Sequence, residues 1–503
     1  MVLAGLVLGA LAFRITWIIY TNHTFEDAFI TFQYAKRLAN GDGFVYNVGE
    51  RVYGTTTPLF TLMLAGWLRL FPNSVVTGAR LFSFLAVIGT FACTYMTLQK
   101  IQSTRSQQFA VLLLISIWPK FLELDTGGME TALGISLMAA SWCAFSNGKI
   151  SLAGVLAGLL LWLRIDLILW IAALAAILLT NDYRKSIRIL LIAGLTYLPW
   201  MLFATAYFGT PIPHTIVAKQ VAYAHYDHIQ FWYHLKAVIQ KLTPLVSYDY
   251  WSQSSPMVIF LTVVMIIMST WQAVRTRKNL TLFSLSSFAL LNIIFLVFSQ
   301  ATFFHRYVAM ILWAILVFWG LALGHVWDYC ALRSHYRSLY TGVLFLGAIF
   351  IFALGWQGAR QVKEAQTFRH EASLKSIGLW LNKNTPLNST VQLEPLGYIG
   401  YFADRTMRDV VGLVTPQVTS LKRQGIVDPV YYIPVLHPDF VVVPCDDALR
   451  WFASNDEEND FAIHYQRVKI FNPLHFEPDQ PIFRNNTKEW LPRRSCYEIW
   501  AQR

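Results

Sequence analysis

Charged residues are scarce in this sequence. Only 14% of its 503 residues are Asp, Glu, Lys or Arg, against about 25% in an ordinary soluble domain, whereas 55% are hydrophobic. So little polar surface cannot shield so much apolar volume from water, which argues against a wholly soluble protein. The apolar content also excludes an intrinsically disordered chain. The class that remains is a multi-pass membrane protein.

Other absences exclude whole kinds of site. Five cysteines are present, and none stands in a CxxC or Cys/His metal-binding spacing. The sequence has no P-loop, no glycine-rich dinucleotide fingerprint and no Asp-x-Asp motif on a nucleotide-binding domain, so a nucleotide-sugar donor has no support. We expect no required cofactor and assign no metal ligands. A divalent cation stays open, without support in the sequence.

The charge is divided unevenly near Trp356. Residues 357–503 hold 17 basic and 17 acidic residues, which is the charge density of a soluble domain, whereas residues 1–356 hold 23 basic and 12 acidic residues. We therefore predict a membrane domain at 1–356 and a soluble α/β domain at 357–503. Basic connectors fix the orientation of membrane helices, so the basic excess favours a lipid bilayer as partner and not a nucleic acid.

The apolar runs predict about eleven membrane-spanning helices. They lie at residues 2–20, 78–98, 107–121, 131–146, 150–164, 167–181, 186–207, 256–272, 280–298, 307–323 and 338–356. The first run lacks a basic leader and a cleavage site, so we interpret it as a span and not as a removable signal peptide. The shorter run 58–71 is predicted to lie flat at the membrane interface. Basic connectors then collect on one side, which the positive-inside rule makes cytoplasmic.

The tail at 357–503 shows a mixed pattern. A helical pattern covers 368–382, and β-rich runs follow at 390–393, 409–413, 440–443 and 462–470. Proline and glycine separate these runs, as between the elements of a small α/β domain. Cys445 and Cys496 could pair if the tail lies outside the cytoplasm.

Two adjacent carboxylates, Glu26 and Asp27, follow the first predicted span at the membrane surface. Neighbouring residues on a helix point about 100° apart, so only one of them faces a given pocket. Partial desolvation raises the pKa of a carboxylate and makes it a stronger general base. The structural alternative is a helix start with Thr24 as N-cap and both acids in the first turn. The two interpretations are compatible.

The stretch from 26 to 58 reads EDAFITFQYAKRLANGDGFVYNVGERVYGTTTP. It resembles the first extracytoplasmic loop of bacterial GT-C glycosyltransferases, which are multi-pass inverting enzymes that use polyprenyl-phosphate sugars. The most similar branch includes the mycobacterial terminal arabinofuranosyltransferases. The resemblance continues, in the same order, at 126–133, 163–166, 207–209, Pro213, Thr215, 218–219, 305–307, 397–401, Asp409 and 412–413.

The resemblance implies a catalytic pair, Glu26 and Asp27. The branch usually begins this loop with two aspartates, so the glutamate at 26 leaves open which of the two is the base, and we favour Glu26. The expected substrate-binding residues are Tyr53, Glu130, Arg164, Asp166, Lys219, His305 and Arg306.

Among these, three cations are expected to stabilise the departing polyprenyl phosphate: Arg164, Lys219 and Arg306. Each residue also has a structural alternative. Arg164 and Asp166 would neutralise each other, His305 and Arg306 would snorkel at a span end, Lys219 would be solvated, and Glu130 would cap a helix.

The function that the resemblance implies is transfer of a sugar from a polyprenyl-phosphate donor to a glycan, lipid or protein hydroxyl. The reaction is expected on the extracytoplasmic face of a bacterial inner membrane, where the tail also lies. A polymerase or ligase of polyprenyl-linked glycans is the alternative, and it would need basic and histidine residues in a large loop. A transporter, the less favoured alternative, would show repeat symmetry and charges at mid-membrane. The sequence names neither the sugar nor the acceptor.

Overall fold

Helices form most of the structure. The computed structural model describes residues 2–223, 231–243, 256–298, 304–332, 334–368, 370–453, 461–471 and 496–503. The helices of the apolar part are α1 (Val2–Thr21), α2 (Ala28–Asn40), α3 (Pro58–Leu70), α4 (Val75–Lys100), α5 (Arg105–Ile117), α6 (Pro119–Thr126), α7 (Thr131–Ser146), α8 (Ile150–Leu163), α9 (Ile168–Asn181), α10 (Tyr183–Phe208), α11 (His214–Tyr223), α12 (Phe231–Leu242), α13 (Pro256–Arg275), α14 (Leu280–Phe298), α15 (Ala309–Ala331) and α16 (Ser334–Phe368).

Ten of the eleven predicted spans lie within one of these helices, to within one or two residues at their ends, and the run 107–121 is divided between α5 and α6 at Trp118. Within the described part of the chain, six helical segments are long and apolar enough to cross a membrane: Leu3–Thr21, Val75–Lys100, Tyr183–Phe208, Leu280–Phe298, His305–Ala331 and Ser338–Asn384. The multi-pass helical class is therefore confirmed, and the count of eleven stays a prediction. Helix α3 has 13 residues, or about 20 Å, which is short of a bilayer core of about 30 Å.

Helix α15 runs through the centre of the bundle. Nearly all of its side chains between Ala309 and Ala322 are buried. It packs closely on α5 at Gly320. A Cβ at this position would lie only 2.5 Å from the Cα of Val111. Small residues at a helix contact let two backbones approach in this way.

The two ends of α15 define the two ends of the bundle. Its 23 residues span about 35 Å. Arg306 precedes its first turn, and near its last turn Asp328 accepts a hydrogen bond from Thr104 Oγ1 at 2.6 Å. Arg275 Nη1 donates to His325 Nε2 at 2.6 Å at that same end. We call this the connector end, because short basic connectors lie there.

The tail folds around a five-stranded mixed sheet. Its elements are α17 (His370–Asn384), β1 (Thr390–Leu393), α18 (Gly397–Ala403), β2 (Thr406–Asp409), α19 (Pro416–Arg423), α20 (Ile433–Leu436), β3 (Phe440–Pro444), α21 (Cys445–Ala453), α22 (Phe461–His464), β4 (Tyr465–Phe471) and β5 (Tyr497–Gln502). The strand order is β2-β1-β3-β5-β4. Strand β1 pairs in parallel with β2 and β3, and β5 pairs antiparallel with β3 and β4. A disulfide joins Cys445 to Cys496.

Two predicted tail strands need correction. The run 409–413 is not a strand, because β2 ends at Asp409 and its carboxylate then accepts the N–H groups of Gly412, Leu413 and Val414. This turn places Gly412 at φ +94°, a conformation that favours glycine. The run 462–470 begins inside the short helix α22, and β4 starts only at Tyr465.

The tail packs directly on the loop that follows α1. One continuous core contains Phe29 and Phe32 of α2 together with Ile377, Leu393 and Ile399 of the tail. Helix α16 also crosses the proposed boundary at 356/357 without a break. The tail therefore continues the last apolar helix and covers the end of the bundle opposite the connector end.

Candidate active site

A cavity of about 250 Å³ lies where the tail meets the bundle. The start of α2, the loop 54–57, the start of α7 and helix α11 form its bundle wall, together with the turn before α15. The loops that follow β1 and β2 form its tail wall. Five of the predicted site residues line it: Glu26, Asp27, Glu130, Lys219 and Arg306.

The carboxylate pair precedes helix α2 and faces this cavity. Asp27 occupies the N-cap position of α2 but makes no capping hydrogen bond with its side chain. The alternative with Thr24 as N-cap is wrong, since α2 begins only at Ala28 and both acids precede its first turn. The Thr24 carbonyl instead accepts hydrogen bonds from Tyr398 Oη at 3.0 Å and Gln366 Nε2 at 3.2 Å. The pair is therefore free of a capping role and can act on a ligand.

Each carboxylate has a different partner. Glu26 Oε1 accepts a hydrogen bond from the backbone N–H of Gly397 in the tail. Asp27 Oδ2 is paired with Arg306 Nη1. The two adjacent acids are thus held by opposite walls of the cavity.

These partners separate the protonation of the two groups. Burial, together with the negative charge of Asp27, raises the pKa of Glu26, although the Gly397 N–H acts in the opposite direction. Burial would also raise the pKa of Asp27, but Arg306 and Lys219 outweigh it and lower that pKa to about 2. At neutral pH Asp27 is therefore ionised, while Glu26 has a high affinity for a proton. Two neighbouring carboxyl groups with separated pKa values are typical of acid–base sites.

Two cations, Lys219 and Arg306, lie on the bundle wall. Lys219 Nζ is 4.9 Å from the centre of the Phe304 ring, and the Arg306 guanidinium is 5.0 Å from the same ring. Both therefore contact one aromatic side chain at the mouth of the cavity. A pair of cations beside an ionised carboxylate can bind a phosphate group.

Arg164 and Asp166 lie behind this wall and do not line the cavity. Arg164 pairs with Asp166 through two hydrogen bonds of 3.1 and 2.8 Å. Its Nη1 donates to the backbone carbonyl of Arg306 at 3.1 Å, and its guanidinium stacks over Tyr307. The expected direct contact of Arg164 with phosphate stays a prediction that this geometry does not favour, because Arg164 lies outside the cavity lining and three of its N–H groups donate to Asp166 and to the Arg306 carbonyl.

Two further predicted residues also lie outside the lining of the cavity. Tyr53 is buried, accepts a hydrogen bond from Trp200 Nε1 at 2.6 Å and stacks on Phe208 at 4.8 Å between ring centres. His305 precedes Arg306 in the 3₁₀ turn His305–Val308. Tyr53 therefore packs the first loop against α10, and its predicted role in substrate binding stays a prediction.

Glu130 lies directly before α7 and is only 2% exposed. It lines the cavity, and its Oε2 atom has no hydrogen-bond partner among the residues that the structure describes. Its carboxylate therefore keeps an acceptor for a ligand.

The tail is attached to the first loop by paired polar contacts. Asn47 and Met407 exchange two hydrogen bonds of 3.0 and 2.9 Å, and Arg408 binds Glu50 at 2.8 Å. Asp404 forms ion pairs with Lys36 at 3.1 Å and with Arg37 at 2.8 Å. These contacts fix the tail wall relative to Glu26.

Over the described ranges, no group of three or more His, Cys, Asp or Glu side chains is placed to hold a metal ion.

Known structures share this arrangement of helices and tail. ArnT from Cupriavidus metallidurans, solved bound to undecaprenyl phosphate, matches with a TM-score of 0.58 and 13% identity, over 90% of this chain and 95% of ArnT. The apo structure of the same protein matches equally well. The chain has a GT-C fold.

A further solved structure and one family model also match this chain. The arabinofuranosyltransferase AftD from Mycobacteria has 12% identity and a TM-score of 0.48, over 99% of this chain and 40% of AftD, and this likeness is too low to support an argument. A family model described as a domain of unknown function (DUF8728) matches residues 360–500. No curated protein matches the sequence.

The tail wall of this GT-C fold contains acids that the sequence analysis missed as site residues. Glu394 directly follows β1, and Asp409 ends the parallel neighbour β2, paired in register with Leu393. Both line the cavity. Ligands often bind at the carboxyl ends of parallel strands, so the predicted strand 390–393 was the signal that could have identified Glu394.

Proposed function

We propose that this protein is an inverting membrane glycosyltransferase that uses a polyprenyl-phosphate sugar as donor. The observation that supports it best is one cavity in which an acid pair, Glu26 and Asp27, lies beside two cations, Lys219 and Arg306. The shared fold with ArnT, which was solved with undecaprenyl phosphate, supports a lipid phosphate as the anion. The acceptor in this proposal is a hydroxyl of a cell-envelope glycan, lipid or protein.

Glu26 is the general base in this mechanism. Burial and the charge of Asp27 raise its pKa, which makes its carboxylate a stronger proton acceptor once it is ionised. Asp27 is the weaker base because its negative charge is stabilised by Arg306. The acceptor hydroxyl loses its proton to Glu26 as its oxygen attacks the anomeric carbon from the face opposite the phosphate.

The leaving group is the polyprenyl phosphate. Its negative charge grows as the bond to the sugar breaks, so cations at that position act most strongly in the transition state. Arg306 and Lys219 supply this charge, and Asp27 orients Arg306. Arg164 contributes by holding the carbonyl of Arg306.

We further propose that the cavity and the tail lie outside the cytoplasm, at the bacterial inner membrane. The basic connectors at the opposite end of the bundle support this orientation through the positive-inside rule. The disulfide between Cys445 and Cys496 supports it too, since disulfides persist in oxidising compartments. The domain at 357–503 then covers the site and takes part in selecting the acceptor.

The test is an in vitro transfer assay with a panel of polyprenyl-phosphate sugars. Glu26→Gln keeps the size of the side chain but cannot accept the proton, so turnover should fall by about 10²–10⁴-fold while donor binding survives. Asp27→Asn is measured beside it. Asp42→Asn is the matched control, because Asp42 is an exposed acid of the same loop and lies outside the cavity lining. If Glu26→Gln, Asp27→Asn and the double variant all transfer sugar at the parental rate, the mechanism is wrong.

A further inference from the structure

Two buried polar atoms in the cavity wall have no hydrogen-bond partner within the described ranges of the chain. Glu130 is 2% and Thr215 is 6% exposed, and both residues line the cavity. Among the residues that the structure describes, neither Glu130 Oε2 nor Thr215 Oγ1 has a hydrogen-bond partner. Buried polar atoms in native proteins are nearly always hydrogen-bonded, so such a pair calls for a ligand or water that completes it.

The other buried threonines of the same wall do not share this property. Thr57 Oγ1 lies 3.2 Å from Thr31 Oγ1 and 3.3 Å from Thr55 Oγ1. These three hydroxyls satisfy one another. The unpartnered atoms are therefore not a general feature of the cavity, and they mark one part of its wall.

That part adjoins the two cations. Thr215 precedes Lys219 by four residues on α11, which places both on one face of the helix. Glu130 lies close enough to Arg306 for their charges to interact. In a polyprenyl-phosphate sugar the ring is bonded directly to the phosphate. A side chain beside the phosphate-binding cations therefore lies closer to the donor sugar than to the acceptor.

We propose that Glu130 and Thr215 form a hydroxyl-recognition subsite for the donor sugar. Glu130 Oε2 accepts a hydrogen bond from a free ring hydroxyl, and Thr215 Oγ1 bonds a second polar group of the same ring. This inference rests on the proposed function, which supplies the lipid-phosphate donor. The subsite selects a sugar with a free hydroxyl close to its anomeric carbon. An analogue without that hydroxyl would leave the buried carboxylate without a hydrogen-bond donor and would therefore bind more weakly.

The experiment measures binding of two kinds of probe to the purified full-length protein in lipid nanodiscs. One probe is undecaprenyl phosphate, and the other is a panel of undecaprenyl-phosphate-linked glucose, mannose and arabinofuranose. We expect at least one sugar-bearing lipid to bind more tightly than undecaprenyl phosphate alone. Glu130→Gln and Thr215→Val should each weaken the binding of that sugar-bearing lipid about 10- to 100-fold. Neither variant should weaken the binding of undecaprenyl phosphate.

Thr131→Val is the matched control. Thr131 is also buried with an unpartnered Oγ1, but it lies outside the cavity lining, so its loss should leave the gain intact. The subsite is refuted if no sugar-bearing lipid binds more tightly than undecaprenyl phosphate, or if Thr215→Val behaves like Thr131→Val. It is also refuted if the two subsite variants weaken the binding of undecaprenyl phosphate as much as the binding of the sugar-bearing lipid. A parental protein that binds neither probe overturns the proposed function, and the subsite with it.

Discussion

The contact between Gly397 and Glu26 predicts a specific change in pH dependence. The N–H of Gly397 donates to Glu26 Oε1, and a Cβ at this position would overlap the carbonyl oxygen of Glu26. Gly397→Ala must therefore displace the tail loop and break the hydrogen bond. The variant keeps every titratable side chain, so its effect isolates the contact.

The sign follows from the charge of Glu26. The hydrogen bond stabilises the ionised carboxylate and so lowers its pKa, against the raising effect of burial. Without the bond Glu26 holds its proton to a higher pH, and less of the base is available at neutral pH. A hydrogen bond to a charged group contributes about 1.5–3 kcal/mol. We therefore expect kcat/KM to fall about 10- to 100-fold at neutral pH, and to recover as the pH rises.

The assay is the pH profile of kcat/KM for sugar transfer, with Gly400→Ala as control. A Cβ at Gly400 would strike the side chain of Tyr46, so this variant disturbs the same tail–loop contact without touching Glu26. In the Glu26→Gln background Gly397→Ala should cost little, because the group on which it acts is gone. Identical pH profiles for the two alanine variants would show that the tail does not tune the base.

Two further predictions concern the role of Arg164 and the orientation of the protein in the membrane. Arg164→Lys should lower kcat about tenfold, because lysine cannot reproduce the paired bonds to Asp166 and the bond to the Arg306 carbonyl; transfer at the parental rate would contradict this. A membrane-impermeant maleimide added to intact cells should label Val48→Cys in the first loop but not Asn279→Cys at the connector end. Labelling at 279 would reverse the proposed orientation.

The sequence predicted the helical part of the fold well. A bilayer demands long apolar helices, and ten of the eleven predicted spans each lie on a single helix, whereas the run 107–121 is divided between α5 and α6. It also located the acids of the bundle wall that face the cavity, Glu26, Asp27 and Glu130, since acids beside apolar spans are costly unless they serve a site. These inferences need only the local pattern of apolar and acidic residues in the sequence and the thickness of a bilayer.

Roles that depend on distant contacts could not be predicted. Nothing near Arg164 in the sequence shows that its third donor binds the carbonyl of Arg306 at 3.1 Å, 142 residues away. The run 409–413 has the composition of a strand, and only the hydrogen bonds of the Asp409 carboxylate show that it turns. The environment of Glu26 depends in the same way on Gly397, so the sequence left the choice of base open.

The separation between Glu26 and Gly397 also orders the events of biosynthesis. The proposed base lies in the loop that follows α1, while its hydrogen-bond donor follows 371 residues later in the chain. All the apolar helices between them must enter the membrane, and the tail must then fold onto the first loop, before Glu26 acquires its native surroundings. The proposed activity therefore requires that the tail has been translated and has folded. A chain stopped just after α16 would insert into the membrane and remain without a finished site.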